Sequence, residues 1–301
     1  MASPRPPQNR MLGIVMRLAA TSCFGLMAAM IKLGHEAGVS TPELVFYRSL
    51  FGFPPLLAWI ACTGSFGAWR TERPKAHLLR AAIGLTAMSL GFSALAYLPL
   101  AEATTIGFAA PLFAVMLSAL ILKELVRKHR WSAVAAGFVG VIIVMQPGGG
   151  DLPLIGLLIA VLAAFSTASA SIAIRQIGRT ESTETTVLWF TAAALLASGA
   201  FMPAFASMHE PQVWLILLAL GLFGGIGQLF HTAALRMAPV AVIAPFDYIQ
   251  LLWAVLLGWL LWDTHPPATT WIGAAIIIAS GLYTLYREHR LGREKPRTVA
   301  L

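Results

Sequence analysis

Apolar residues run along this chain in ten blocks of about twenty, each closed by a short polar segment. The blocks lie at approximately 12–33, 43–63, 78–98, 103–122, 131–147, 153–174, 185–206, 212–235, 240–262 and 269–286. A helix needs about 20 apolar residues to cross a hydrocarbon core of ~30 Å, so each block predicts one membrane-spanning helix. Stretches 81–101, 103–122, 152–174 and 185–208 hold no Asp, Glu, Lys, Arg or His at all.

The polar segments sort by charge. With the N-terminus placed in the cytoplasm, 19 of the 21 Lys and Arg residues fall on that side of the membrane, from Arg5, Arg10 and Arg17 through Arg80 to the tail at Arg297. The loops on the other side carry Glu102, Asp151, Glu210 and Asp263. Bilayer proteins retain their bases on the cytoplasmic side, and soluble proteins have no reason to sort them. This predicts a multi-pass protein of a bacterial-type inner membrane with both termini cytoplasmic.

Composition agrees. The 301 residues are 58% hydrophobic and 11% charged, with mean hydropathy +0.76, against about 25% charged in soluble domains. The net charge of +8 serves topology and attraction to anionic lipid rather than nucleic acid. Cys23 and Cys62 lie inside apolar blocks without metal-type spacing, and no cleavable leader is expected. The sequence implies no metal, cofactor or catalytic residue, and leaves the oligomeric state unread.

An internal repeat appears at an offset of 140: Gly84 matches Gly224, Ala94-Leu95 matches Ala234-Leu235, Pro99 matches Pro239 and Trp131 matches Trp271. Five spans per half is an odd number, so the second half enters the membrane upside down. The fold class expected is therefore an all-α membrane protein of ten transmembrane helices in two inverted five-helix repeats. The parts are a tail at 1–11, repeats at 12–147 and 153–286, and a basic tail at 287–301.

The landmarks that carry the repeat also carry a likeness. Span three closes on Ala94-Leu95-Ala96-Tyr97-Leu98-Pro99, and Pro111-Leu112-Phe113-Ala114-Val115-Met116 leads through span four to Glu124. Gly137-Phe138-Val139-Gly140 marks the fifth helix, and the second copy reads Ala234-Leu235-Arg236-Met237-Ala238-Pro239 and ends on Trp262-Asp263. In these features the chain resembles the EamA family of the drug/metabolite transporter superfamily. It departs where Gln250 stands in place of Pro111 and where Asp263 replaces the usual Glu. The resemblance implies gradient-driven transport and is similar in pattern to exporters of amino acids, drugs and metallophores and to importers of vitamins and nucleosides.

Polar groups inside the spans are the candidate site, because a charge in the membrane core costs roughly 2.5–3.5 kcal/mol even on lenient scales. Lys32 and Arg48 break the charge sorting. Lys32 either snorkels to the outer interface or faces a cavity, and Arg48 either pairs with Glu43 or Glu36 or binds an anionic group. Asp247 and Gln250 share a stripe with Ala254 and Gly258, flanked by Tyr248 and Trp253, while Gln228 and His231 follow Gly221 and Gly224. His231 is a proton carrier or a structural lock on Asp247. The other half carries Gly107, Gly91 and Met88 opposite Asp247, His231 and Gln228, so the scaffold does not require these polar groups. Pro111 and Pro245 are hinge candidates.

The function expected is transport of a small organic metabolite by alternating access, with protons as a possible coupling ion. Export of amino acids or their derivatives comes first, and uptake of a vitamin or nucleoside-like compound (riboflavin or S-adenosylmethionine type) second. An intramembrane enzyme is the rival class, resting on Gly91-Phe92-Ser93-Ala94 with His231 as base.

Overall fold

Two prolines shape the helices that matter most here. The computed structural model describes residues 10–121, 128–146, 151–177, 180–238 and 240–294. Arg5, Lys123, Glu124, Arg127, Arg179, Pro239, Lys295 and Arg297 lie outside the described residues. The first half comprises α1 (Arg10–Glu36), α2 (Thr41–Thr63), α3 (Pro74–Tyr97), the pair α4 (Leu100–Gly107) and α5 (Ala110–Ile121), and α6 (Lys128–Met145). The second comprises α7 (Leu154–Ile177), α8 (Thr183–Gly199), the single turn α9 (Met202–Phe205) and α10 (Pro211–Met237). It continues through α11 (Val240–Ile243), a 3-10 turn (Ala244–Tyr248), α12 (Ile249–Trp262) and α13 (Ala268–Glu294). No strand occurs among the described residues.

Pro111 has no N–H and crowds the carbonyl four residues back, so the fourth traverse breaks between Gly107 and Ala110. Pro245 does the same to the ninth, which tightens into the 3-10 turn before α12. These are the two spans in which the sequence places hinges.

Seven helical stretches among the described residues are long and apolar enough to cross a bilayer: Met11–Glu36, Thr41–Thr63, Pro74–Tyr97, Leu100–Leu117, Leu154–Ile174, Pro211–Ala234 and Pro245–Trp262. Trp131–Met145 and Ala268–Thr284 are shorter apolar helices. α8, with 17 residues, reaches about 26 Å and is extended by α9. Large apolar side chains face outward, among them Leu57, Leu79, Leu120, Ile142, Leu162, Leu196, Leu215 and Leu260. A soluble protein avoids so wide an apolar surface, and lipid tails suit it.

Contacts between helix ends define two faces. Near the start of α1, Gly13 packs on Ala238, Arg17 meets Asp247, and Trp189 donates to the Trp69 carbonyl at 3.1 Å. At the opposite, far face, Lys32 donates to the Leu98 carbonyl at 3.4 Å, Trp262 donates to Glu36 at 2.5 Å, and Gln146 donates to Thr269. The first and last described helices both have their outer ends at the N face.

The packing partners are two-fold related. α1 lies on α10 as α7 lies on α3, α2 lies on α10 as α8 lies on α3, and the pairs α2–α8 and α6–α13 meet across the axis. Small residues make the close seams. A Cβ on Gly225 would stand 2.7 Å from the Gly52 carbonyl oxygen, and one on Gly140 2.8 Å from the Gly273 oxygen. With no hydrophobic drive between helices in lipid, backbone-to-backbone packing of this kind holds them together.

Candidate functional site

Between α1, α3, α4 and α7 lies a cavity of about 410 Å³, within the ~300–1,000 Å³ range of small-molecule sites. Its walls are apolar: Phe24, Met27 and Ile31 from α1, Met88 and Phe92 from α3, Phe108 beyond α4, and Ala160, Ala163 and Ala164 from α7. Thr104, Thr167 and Gln250 supply the polar side chains. Gly91 and Gly107 leave open space, for a Cβ on either would meet nothing within 4 Å. The lining begins at Phe24, seven residues or about 10 Å beyond Arg17 along α1, and extends to Leu95 near the far face.

Toward the N face from the cavity lies a charge cluster. Arg17 Nε and Nη2 donate to the two carboxylate oxygens of Asp247 in a forked pair. Nη1 of the same guanidinium lies 2.7 Å from His231 Nδ1. Arginine has only donors, so Nδ1 accepts and the imidazole is neutral here with its proton on Nε2. Three elements thereby join: α1, α10 and the 3-10 turn. Tyr248, next to Asp247, meets Phe108 edge-on at 5.1 Å between ring centroids, and its hydroxyl fills the space left by the missing side chain of Gly281. Of these, Phe108 lines the cavity, as does Gln250.

The sequence reading missed one member of the cluster. It counts Arg17 among the cytoplasmic bases, but α1 starts at Arg10 and carries Arg17 two turns into the bundle, where it is 8% exposed. Of the two readings of His231, proton carrier or lock on Asp247, the second took the pair as direct, whereas Arg17 bridges them. Arg80, likewise counted as a loop base, is 7% exposed on α3.

The family matches twice along this chain. The profile of the EamA-like transporter family covers residues 11–146 and again 154–286. The chain belongs to that family. This EamA-like transporter is 29% identical over 294 residues to a riboflavin transporter of Vibrio cholerae, covering 96% of this chain and 97% of that one. It is 28% identical over 271 residues to a pseudopaline exporter of Pseudomonas aeruginosa, covering 89% and 94%. It is also 28% identical over 266 residues to an S-adenosylmethionine uptake transporter of Rickettsia conorii, covering 84% and 85%. A crystal structure at 22% identity superposes with TM-score 0.64 over 94% of this chain and 99% of its own length, which shows the same fold. The protein is a multi-pass membrane transporter of small molecules, of a bacterial family, and not an enzyme.

The remaining predicted site residues of this EamA-like transporter are scattered. Lys32 does not line the cavity: its ammonium serves the Leu98 carbonyl, lies 3.9 Å from Glu36 and sits 5.6 Å from the Trp262 ring centroid. Trp253 donates to Ser22 at 2.9 Å and packs against Gly25, sealing the α1–α12 seam. Arg48 and Gln228 share a separate small void between α2, α8 and α10. Arg48 pairs with neither acid named for it. Glu43 is taken by the Ser40 cap and by Ser207 and His209, each at 3.0 Å, and Glu36 by Lys32 and Trp262. Ser93 bonds Thr41 at 3.2 Å near the far face, at the opposite end of the bundle from His231, so no serine–histidine pair forms.

Proposed function

We propose that this transporter carries a flat, largely apolar heteroaromatic metabolite of riboflavin- or nucleoside-like type across the bacterial inner membrane, in the direction of uptake. The observation behind this is the wall of the cavity: phenylalanine, methionine and alanine with two threonines and one glutamine, and no charged side chain. A zwitterionic amino acid entering such a pocket would lose its hydration with no counter-charge to replace it. A ring system with a few hydrogen-bonding edges loses little. The sequence alone ranks amino-acid export first; the apolar wall supports a ring-system cargo over an amino acid, and uptake is the direction we pair with it.

The lock supports alternating access. With Arg17, Asp247 and His231 joined at the N face and the cavity in the far half, we read the molecule as closed to the side to which the sequence assigns 19 of the 21 bases, the cytoplasm in this reading. Return to the inward state requires the two halves to rock about the seam and the lock to part. A proton on His231 places two cations against each other and loosens the lock, which is the route by which a proton gradient would drive the cycle. The breaks at Pro111 and Pro245 are where the helices would bend.

Labelled riboflavin and an uncharged nucleoside such as adenosine, offered to cells unable to make or import them and expressing this chain, test the proposal. Saturable uptake competed by the unlabelled compound is the expected result. Absence of uptake of either, together with amino-acid efflux from loaded vesicles, would overturn it in favour of export.

A further inference from the structure

The polar side chains of the cavity have nothing to bond within the protein. Hydroxyls on membrane helices ordinarily return to a carbonyl one turn back, and the neighbours of the cavity residues do so. Thr105 donates to the Ala101 carbonyl at 2.7 Å, and Ser169 to that of Phe165 at 3.0 Å. Thr104, beside Thr105 on α4, and Thr167, two residues before Ser169 on α7, make no such bond. Their hydroxyls have no hydrogen-bond partner among the described residues, and neither has the carboxamide of Gln250 on the first turn of α12.

All three groups line the same cavity, and they come from helices that meet, since α4 packs on both α7 and α12. A donor or acceptor left unmatched against apolar walls loses its hydration without compensation. Gln250 is the most discriminating of the three. A carboxamide sets an N–H donor and a carbonyl acceptor side by side in one plane, the pattern that pairs with a heterocycle edge bearing its own donor and acceptor. The repeat does not require an amide here, for Gln250 stands where the first half has Pro111. The acid one turn earlier, Asp247, gives both carboxylate oxygens to Arg17, so it does not compete for the amide. Phe24 and Phe108, with Met27 and Met88, supply apolar surface for the faces of a ring.

We propose that Gln250 is the specificity-determining residue of the cavity, its amide pairing with a ring edge on which an N–H stands directly beside a carbonyl or ring-nitrogen acceptor. Thr104 and Thr167 offer hydroxyls, each donor and acceptor, to polar atoms elsewhere on the ring system. The inference rests on the cavity being the cargo site and narrows the cargo class to flat, uncharged heterocycles with such an edge. A ring alkylated at the edge nitrogen leaves the Gln250 carbonyl without a donor and is rejected.

The test is binding by purified full-length protein in detergent, read from the fluorescence of two probes. Lumiflavin is a flat, uncharged tricycle with one ring N–H between two carbonyls, and 3-methyllumiflavin carries N–CH3 in place of that N–H. Wild type should hold lumiflavin roughly 5- to 150-fold more tightly than the methylated ring. In Gln250→Met, which keeps the length of the side chain, the two affinities should come within roughly twofold of each other, through weaker binding of lumiflavin and undiminished binding of 3-methyllumiflavin. Gln250→Glu, which keeps the shape and replaces the N–H donor by an acceptor, should also lose the preference. Thr104→Val should weaken both rings alike and leave their ratio unchanged. Equal affinity of wild type for the two rings, which needs no variant to fold, or a preference that survives in Gln250→Met, would overturn the role of Gln250 and leave the cavity standing as a ring site. No binding of either ring by wild type would overturn both.

Discussion

Replacing Asp247 by Asn removes one charge from the N-face lock and leaves Arg17 facing a neutral amide and His231. An exposed ion pair contributes about 0–1 kcal/mol, whereas stripping one partner from a fully buried pair costs about 3–5 kcal/mol. Here the Arg17 side chain is 9% accessible and that of Asp247 34%. The loss therefore falls between the limits, at about 2–3 kcal/mol. In the proposed cycle the pair joins α1 to the 3-10 turn only while the N face is shut, so the loss acts on the opening equilibrium. At a factor of ten per 1.4 kcal/mol, the inward-open population rises roughly 30- to 150-fold. Cys23 reports on this without an added probe. It is a half-buried free thiol on α1, with its Cβ 3.0 Å from the Cβ position of Gly227 on α10, in the seam that must part. In a Cys62→Ser background, which removes the exposed second thiol, a membrane-permeant maleimide should alkylate Cys23 faster in Asp247→Asn by about that factor. Adding Arg17→Gln should produce less than the sum of the two single effects, because the second change removes the stranded charge. An unchanged alkylation rate in a variant with a wild-type melting curve would refute the lock.

Three further outcomes follow from the geometry. Gly91→Leu projects into the cavity without meeting any atom within 4 Å of its Cβ, so uptake should be lost while the melting midpoint stays; an unaltered uptake would remove this cavity from the transport path. Gly225→Ala drives a methyl to 2.7 Å from the Gly52 oxygen, an overpacking worth about 1–3 kcal/mol, and should melt earlier than wild type in a thermal assay in which Gly91→Ala does not. Lys32→Met should leave initial uptake rates within roughly twofold of wild type, since its ammonium binds the Leu98 carbonyl and Glu36 rather than cargo.

Helix number and order were legible because membrane helices declare themselves by length and apolarity. Their interruptions were legible only as prolines. Pro111 and Pro245 mark the affected spans, but whether a span bends or breaks depends on how its neighbours accept the freed carbonyls. Arg17 escaped notice because its partners are 230 and 214 residues away and a base near the start of an apolar run reads as topology. Glu43 had a local signal: Ser40 followed three residues later by Glu is a capping box, which already commits that carboxylate before any pairing with Arg48 is considered. The cavity had none, since alanine, glycine and phenylalanine on a membrane helix look alike whether they face lipid, a neighbour or a pocket. Thr167 lines it, while Ser169 and Ser171 on the same helix bond their own backbone at 3.0 and 2.9 Å.

The α7 wall of the cavity, Ala160, Ala163 and Ala164, is built from the smallest side chains that still favour a helix. Selectivity on that wall is set by absent carbon atoms, as in a mould. In the proposed site, enlarging Ala163, the most accessible of the three, to valine would trim the bound shape from one side. If the proposed cavity holds the cargo, a bundle of this kind changes it by single substitutions while keeping its seams and its topology.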